Sequence, residues 1–183
     1  MKRCKACREP FEPVRPLQSV CGPACAIERA REQKEQAERK ARSDQRREDR
    51  AKREKLKTRS DHIKETQIVV NTYVRLRDRG RPCISCGNAL VPGGVGGGFD
   101  AGHYRSVGSA PHLRFEPDNI HGQGKQCTRF GAGRAVDYRI GLMGRIGRER
   151  VEALEADQTP RKWTVEELKA IKAEFKAKAK ELA

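Results

Sequence analysis

The spacing of the seven cysteines is the feature that most limits how this chain can fold. Four of them form two close pairs near the N-terminus, Cys4-x-x-Cys7 and Cys21-x-x-x-Cys25. Two such pairs can place four thiolates tetrahedrally around one zinc ion, with no position left open for chemistry. The two matched pairs make a redox or incidental set of thiols the less favoured alternative. Because the segment has almost no apolar core, we expect residues 1–27 to fold as a structural zinc knuckle around the metal.

The charge of the chain predicts small modules and a polyanionic partner. Its 183 residues include 40 Lys and Arg against 25 Asp and Glu, a formal charge of +15, and only 36% are hydrophobic. That is too little apolar material for one large core. Nucleic acid is favoured over a membrane, because no basic helix carries Trp or Phe on an apolar face and no apolar run could span a bilayer. Without the apolar core of a signal peptide we expect a cytoplasmic protein, whose thiols stay reduced and serve as metal ligands.

Residues 28–65 are predicted to form a long charged helix. Acidic residues precede basic ones by four positions, as in Glu35/Arg39 and Glu48/Lys52, and such pairs support a single helix in water. No apolar heptad stripe runs through the segment, which disfavours a coiled coil. Two interpretations stay open, a solvated spacer and a basic rod that lies along phosphates.

Further helices flank a central module, which we place at residues 66–156. Apolar residues with helical spacing predict a helix over residues 66–79 that packs on this module. Glycines are expected to divide residues 134–156 into two helices. A capping box, Thr164-x-x-Glu167, then begins the amphipathic helix of a separate C-terminal segment, residues 157–183.

The central module begins at a third cysteine pair and ends near a late cysteine. Its glycine-rich loop is not a phosphate-binding P-loop, because no Lys-Ser/Thr follows it. After the Cys83-x-x-Cys86 pair we predict the glycine-rich loop at 91–98 and a strand from Phe99 to Tyr104 that carries His103. A return strand or part of a loop should follow at 112–115. A turn at Asp118 and Asn119 then leads to a helix that begins at Cys127.

This order resembles the HNH nuclease motif, also called the ββα-metal fold. The resemblance implies an α+β chain, mostly helical, with a small zinc-braced HNH or treble-clef-like module. In that motif a histidine deprotonates water, a loop asparagine holds the backbone, and a residue on the following helix binds a catalytic divalent ion. The matching residues are His103 as general base, Asn119 as loop asparagine, and Cys83, Cys86 and Cys127 as zinc ligands.

The chain also resembles the phage NinG/Rap recombination proteins over nearly its whole length. The stretches that carry the resemblance are Y-V-R-L-R-D before C-I-S-C-G, then D-A-G-H-Y-R-S, then H-L-R-F-E-P-D-N-I-H-G-Q, and the tail from Y-R-I-G-L-M-G. It implies a metal-dependent endonuclease that cuts branched DNA, such as D-loops and Holliday junctions, in the host cytoplasm. We expect host recombination proteins as further partners. A homodimer would suit the near two-fold symmetry of branched DNA.

Two positions depart from the family pattern. Gly124 stands where a third zinc cysteine is expected, and Thr128 stands where an asparagine would help bind the catalytic ion. Three cysteines are short of the four ligands that structural zinc prefers, and His121 is the nearest replacement. A threonine hydroxyl is a poorer magnesium ligand than an amide or carboxylate oxygen. Reduced or lost activity is therefore one expectation.

The reaction chemistry assigns roles to a few polar residues. A neutral His103 can take a proton from water, and one magnesium or manganese ion can neutralise the phosphate and the leaving oxygen. Asp100 is the preferred carboxylate for that ion, with Thr128 and His121 as secondary ligands. Asp100 lies three residues before His103, so a regular strand would point the two side chains to opposite faces. A bend at Gly102 would be needed to bring them together.

Basic residues around the site are expected to hold DNA phosphates, although solubility alone would also explain them. The five are Arg105, Arg114, Lys125, Arg129 and Arg134. Two further functions stay open from the sequence. The protein could bind branched DNA without cutting it, or it could be a zinc-knuckle protein that binds RNA.

Overall fold

Helices dominate the part of the chain that the computed structural model describes, residues 1–91, 93 and 98–183. Within these residues two small antiparallel sheets accompany them, which confirms the expectation of a mostly helical chain with little sheet. Most of the glycine-rich loop predicted at 91–98 lies outside the described residues. Among the described helices, none is long and apolar enough to cross a membrane. The chain divides into two units, residues 1–57 and 58–183.

The first unit consists of the cysteine knuckle and one long helix. Strands β1 (Lys2–Arg3) and β2 (Pro10–Phe11) pair with each other, and helix α1 spans Pro23–Lys55. No residue of α1 is buried, and its ion pairs, such as Arg31 with Glu35, lie on its solvated surface. This helix is a solvated single helix over its whole length, because it has no apolar stripe to bury.

The single helix predicted over residues 28–65 is interrupted. Helix α1 ends at Lys55, and a capping box begins the next helix. Helix α2 spans Arg59–Arg77, and the Thr58 hydroxyl accepts a hydrogen bond from the Asp61 amide while Asp61 Oδ2 accepts one from the Thr58 amide. These paired bonds satisfy amides that the first turn of a helix leaves without partners. The charge pattern continues across this point, which is why it concealed the boundary.

The main core of the second unit lies between α2 and helix α5, which spans Val165–Glu181. The two helices bury valine, leucine and phenylalanine side chains together with Ile120 and Trp163. The predicted Thr164–Glu167 capping box is confirmed. The C-terminal helix is therefore part of the same unit as the central module, where the sequence had suggested a separate segment.

The central sheet has two strands, β3 (Phe99–His103) and β4 (Ile120–Gly124). The first was predicted to within one residue. Of the two alternatives for 112–115, a return strand or part of a loop, the strand is wrong, because Pro111–Leu113 forms a 3-10 turn and the return strand comes later. The turn predicted at Asp118 and Asn119 is present as a second 3-10 turn, and the helix predicted at Cys127 is a short π-helical turn, Gln126–Phe130.

Two helices cover the third cysteine pair. Helix α3 spans Ala135–Ile146 and helix α4 spans Arg148–Ala156, and they are separated at Gly147, whose φ is +88°. A Cβ atom at Gly141 would lie 1.9 Å from the Ile84 carbonyl oxygen. Glycine at this position therefore lets α3 lie directly on the turn that carries Cys83 and Cys86.

A buried carboxylate that the sequence analysis missed joins α2 to β4. Asp78 is fully buried just after α2, and its two oxygens accept hydrogen bonds from Arg77 at 2.9 Å each. The same carboxylate accepts the Gly122 amide at 2.7 Å. The Arg77 guanidinium also donates to the carbonyls of Pro117 and Ile120. A buried charge needs this degree of pairing, so Asp78 fixes the position of the sheet.

Candidate functional site

The four N-terminal cysteines form a closed set of metal ligands. The sulfurs of Cys4, Cys7, Cys21 and Cys25 all lie within 4.8 Å of one another, and every cysteine is a free thiol. The Cys7–Cys21 and Cys21–Cys25 sulfur distances are 3.7 and 3.4 Å. Four sulfurs around one zinc ion at roughly 2.3 Å would lie about 3.8 Å apart. This donor set therefore fits a structural zinc ion.

The pKa values of these thiols indicate that a bound cation is needed for all four to ionise together. Burial opposes ionisation of Cys4, but amide hydrogen bonds from Ala6, Cys21 and Cys7 lower its pKa to about 6. Side-chain hydrogen bonds with Cys25 and Cys7 raise the pKa of Cys21 to about 12. One thiolate therefore makes the next harder to form, and a bound metal removes that cost because it displaces the protons.

A second cluster brings together Cys83, Cys86 and Cys127. Their sulfurs also lie within 4.8 Å of one another, and the Cys83–Cys127 distance is 3.9 Å. Burial alone would raise the pKa of Cys83, but the amides of Gly124, Cys86 and Ser85 lower it. Burial, followed by its contacts with Cys86 and Cys83, raises the pKa of Cys127 to about 12. The cluster has three thiols suited to zinc and lacks a fourth.

His121 is not the fourth ligand that the sequence suggested. Within the described residues it does not join the three-cysteine cluster, and its ring lies edge-on to Tyr138 with 6.4 Å between centroids. Burial and then the charge of Arg77 lower the pKa of His121 to about 3. Its Nδ1 atom is buried and has no hydrogen-bond partner in the described chain. The residue is a neutral core histidine, which also removes it as a ligand for the catalytic ion.

His103, Gln123 and Thr128 line one cleft of about 710 Å³. The His103 Nε2 atom lies 3.0 Å from the Arg114 carbonyl oxygen. Because a carbonyl only accepts, this contact assigns the imidazole proton to Nε2 and leaves the lone pair on Nδ1. Burial and the charge of Arg114 lower the pKa of His103, against the opposing effect of the carbonyl bond. The imidazole is thus neutral at pH 7, as a general base must be.

Asn119 holds the backbone next to this histidine. It is fully buried, and its Oδ1 accepts from the Arg105 amide at 2.8 Å. Its Nδ2 donates to the carbonyls of Arg105 and Leu113, both at 3.1 Å. Its own carbonyl accepts from the Tyr104 amide, directly after His103. One side chain therefore fixes both ends of the loop that leaves β3.

The structure does not bring Asp100 together with His103. The two strands keep a continuous register from Phe99 to His103, with no bulge at Gly102 that would shift the alternation. Alternation then puts Asp100 and His103 on opposite faces of the sheet. His103 still lines the cleft as the last residue of its strand, whereas Asp100 does not. Asp100 Oδ2 lies 3.4 Å from Nε of Arg129.

Gln123 is a polar site residue that the sequence analysis missed. It is opposite Asp100 in the sheet and 1% exposed. Its amide nitrogen donates to Ser85 Oγ and to the Gly133 carbonyl, both at 2.7 Å, and its Oε1 accepts from Thr128 Oγ1 at 3.2 Å. These bonds link the third cysteine pair to the π-helical turn. In the sequence, the one local hint of this role is that the glutamine stands between two glycines, Gly122 and Gly124. Its burial, which requires hydrogen-bond partners, is seen only in the structure.

The five predicted phosphate ligands divide into two kinds. The structure gives Arg105 a different role from the predicted phosphate contact. Its guanidinium donates to the carbonyls of Leu154 at 2.9 Å and Asp157 at 2.6 Å and so caps the end of α4. The others lie at or near the surface. Arg129 and Arg134 are exposed, while Arg114 and Lys125 are partly buried.

Comparisons with known proteins agree over the full chain. The family model described as Bacteriophage Lambda NinG protein matches residues 1–183. Protein ninG of Escherichia phage lambda is 42% identical over 194 residues, covering 99% of this chain and 93% of the relative. Protein ninG of Salmonella phage P22 has the same identity and coverage, and that of Escherichia phage 933W is 41% identical over 192 residues, with 99% and 93% covered. No solved structure gives a significant match. The chain therefore belongs to the NinG family of bacteriophage proteins.

Proposed function

We propose that this protein is a metal-dependent endonuclease that hydrolyses phosphodiester bonds in branched DNA during phage recombination. The observation that carries the proposal is the neutral His103 imidazole, which lines a cleft and has its proton-accepting Nδ1 assigned by the Arg114 carbonyl. Membership of a phage protein family and the charge of +15 are consistent with a DNA substrate.

In this proposal His103 Nδ1 takes the proton of the attacking water as the oxygen bonds to phosphorus. The Nε2–H remains hydrogen-bonded to the Arg114 carbonyl. This bond orients the ring and stabilises the imidazolium that forms. Asn119 holds the loop so that the carbonyl stays in place. The exposed Arg129 would hold a flanking phosphate.

A divalent ion such as magnesium or manganese would supply charge neutralisation at the scissile phosphate and at the leaving oxygen. The cleft offers Gln123 Oε1 and Thr128 Oγ1 as oxygen donors, 3.2 Å apart. Asp100 shares the sheet face of Gln123 and would add the carboxylate that a hard cation prefers, once it separates from Arg129. A homodimer would suit the symmetry of a four-way junction, and host recombination proteins would be further partners.

A second candidate function is binding of branched DNA without cleavage. It is favoured by the placement of Asp100, which does not line the cleft with His103 and already pairs with Arg129. The Thr128 hydroxyl is also occupied, since it donates to Gln123 Oε1 and to the Gly124 carbonyl. In this alternative the folded module and its basic surface would remain while the ion site is lost.

The test is cleavage of a synthetic four-way junction with each strand labelled in turn, in magnesium, in manganese and in excess chelator. We expect metal-dependent nicking that His103→Ala reduces by roughly 10²-fold or more while junction binding is kept. His112→Gln is the matched control, because His112 bonds the Asp157 carbonyl outside the cleft and should leave cleavage unchanged.

The outcomes separate the candidates. Tight junction binding without cleavage in either metal supports the second candidate. Cleavage by His103→Ala at the rate of the unaltered protein removes His103 as the base. Binding of a matched linear duplex and of a structured RNA completes the comparison, and a clear preference for the RNA would contradict both DNA functions.

A further inference from the structure

We propose that the Cys83, Cys86 and Cys127 cluster is an open metal site. Its fourth ligand comes from outside the chain, as a water molecule or a small thiolate. The chain would contribute three sulfurs to a zinc ion, and the fourth corner would accept water or, when it is present, a low-molecular-weight thiol. This inference concerns metal binding and is independent of the nuclease reaction.

The three sulfurs lie close enough together to bind one metal ion, all within 4.8 Å of one another. Cys83 and Cys127 lie 3.9 Å apart, close to the roughly 3.8 Å expected between two sulfurs on one zinc ion. Cys83 and Cys127 are buried among Leu90 and Phe99, whereas Cys86 is partly exposed. The cluster is thus rigid on one side and reachable from solvent on the other.

The glycine at residue 124 leaves room for a ligand beside Cys83. A Cβ atom built there would lie 3.8 Å from Cys83 Sγ, and apart from the adjacent residues no other heavy atom of the described chain lies within 4 Å. The Gly124 amide already donates to Cys83 Sγ at 3.2 Å, so the backbone lies against the cluster. Gly124 does not have a positive φ, so a side chain would be tolerated at this position.

Within the described residues no fourth Cys, His, Asp or Glu joins this cluster. The residues outside the described part, 92 and 94–97, are proline, glycine and valine, which carry no ligating group. Zinc prefers four ligands, so an external donor completes the set. Thiolate is the softer donor and would replace water.

The four-cysteine cluster at the N-terminus gives an internal reference in the same molecule. It supplies four thiolates, so the two sites together hold seven from the chain. An added thiol would bring the total to eight, and only the open site would change. Gly124→Cys would supply the eighth thiolate from the chain, and Gly124→Ala would add the Cβ without a donor.

The experiment uses the full chain loaded with cobalt, whose thiolate charge-transfer absorption counts bound sulfurs. We expect β-mercaptoethanol to increase this absorption by about one-seventh in the unaltered protein and in Gly124→Ala, and to leave Gly124→Cys unchanged. In zinc-loaded protein, a coloured chelator should remove one of two zinc ions first. Gly124→Cys should hold that ion roughly ten-fold or more tightly.

Two results would overturn the proposal. Absorption that does not change with added thiol in protein holding two metals would show that the fourth position of this site does not bind a small thiol. A single metal per chain, with or without thiol, would show that the three cysteines do not form a metal site. If Gly124→Cys does not fold, the thiol response of the unaltered protein still decides the question. None of these readouts depends on cleavage, so failure here is distinct from failure of the nuclease proposal.

Discussion

Replacement of Asn119 by alanine should destabilise the second unit by about 3 kcal/mol. The side chain is fully buried and makes three hydrogen bonds, to the Arg105 amide, the Arg105 carbonyl and the Leu113 carbonyl. Each contributes roughly 1 kcal/mol net, and each loss leaves a backbone group without its partner. With an m-value of roughly 2 kcal/mol per M, the urea midpoint should fall by about 1.5 M.

The assay is urea unfolding followed by tryptophan fluorescence. The chain has one tryptophan, Trp163, which stacks edge-on against Phe115 at 5.1 Å and donates to the Pro111 carbonyl, so it reports on this unit. The matched control is Asn71→Ala, which removes one partly buried hydrogen bond within α2, to Gln67, and should cost less than about 0.5 kcal/mol. If both variants lose the same small amount of stability, Asn119 does not hold the loop and our account of the cleft is wrong.

The remaining predictions concern packing, pH and a helix end. Gly141→Ala should destabilise the second unit by about 1–3 kcal/mol, because the new Cβ would meet the Ile84 carbonyl at 1.9 Å, whereas Gly144→Ala, with nothing within 4 Å, should stabilise it by about 0.5–1 kcal/mol. The pKa of His121 is about 3 in the folded chain, below its unfolded value, so its contribution to stability is complete above about pH 6.5 and is lost as the pH falls toward 3. Urea unfolding at pH 7, 6 and 5 should therefore show that the free energy of unfolding falls with pH in the unaltered protein. In His121→Gln this fall should be shallower by up to roughly 1.4 kcal/mol per pH unit, and equal slopes in the two proteins would contradict the prediction. Arg105→Ala should lower thermal stability by removing the cap of α4 while junction affinity is kept; a large loss of affinity with unchanged stability would restore its role in DNA binding.

Features with local causes could be predicted from the sequence. The Thr164–Glu167 capping box, the strand that ends at His103 and the division of α3 from α4 all depend on residues within a few positions of one another. The return strand could not be placed, because β4 reads I-H-G-Q-G and has no alternating apolar pattern. Its burial comes from packing on both faces, which only the tertiary structure supplies.

The candidate site was predicted in part for the same reason. The cysteine groups follow from spacing, and His103 with Asn119 follows from the order of motif residues. The role of Arg105 depends on a helix end about 50 residues later, so no local pattern could separate it from Arg129. The placement of Asp100 depended on whether the strand bends at Gly102, and the continuous register decided it.

The solvent-facing nature of α1 has a consequence for its length. Since none of its 33 residues is buried, no packing partner fixes its length, and loss or gain of a turn leaves the hydrophobic cores untouched. Each whole turn changes the separation of its ends by about 5.4 Å. Insertion or deletion of whole turns within α1 should therefore leave the fold of the remaining chain intact.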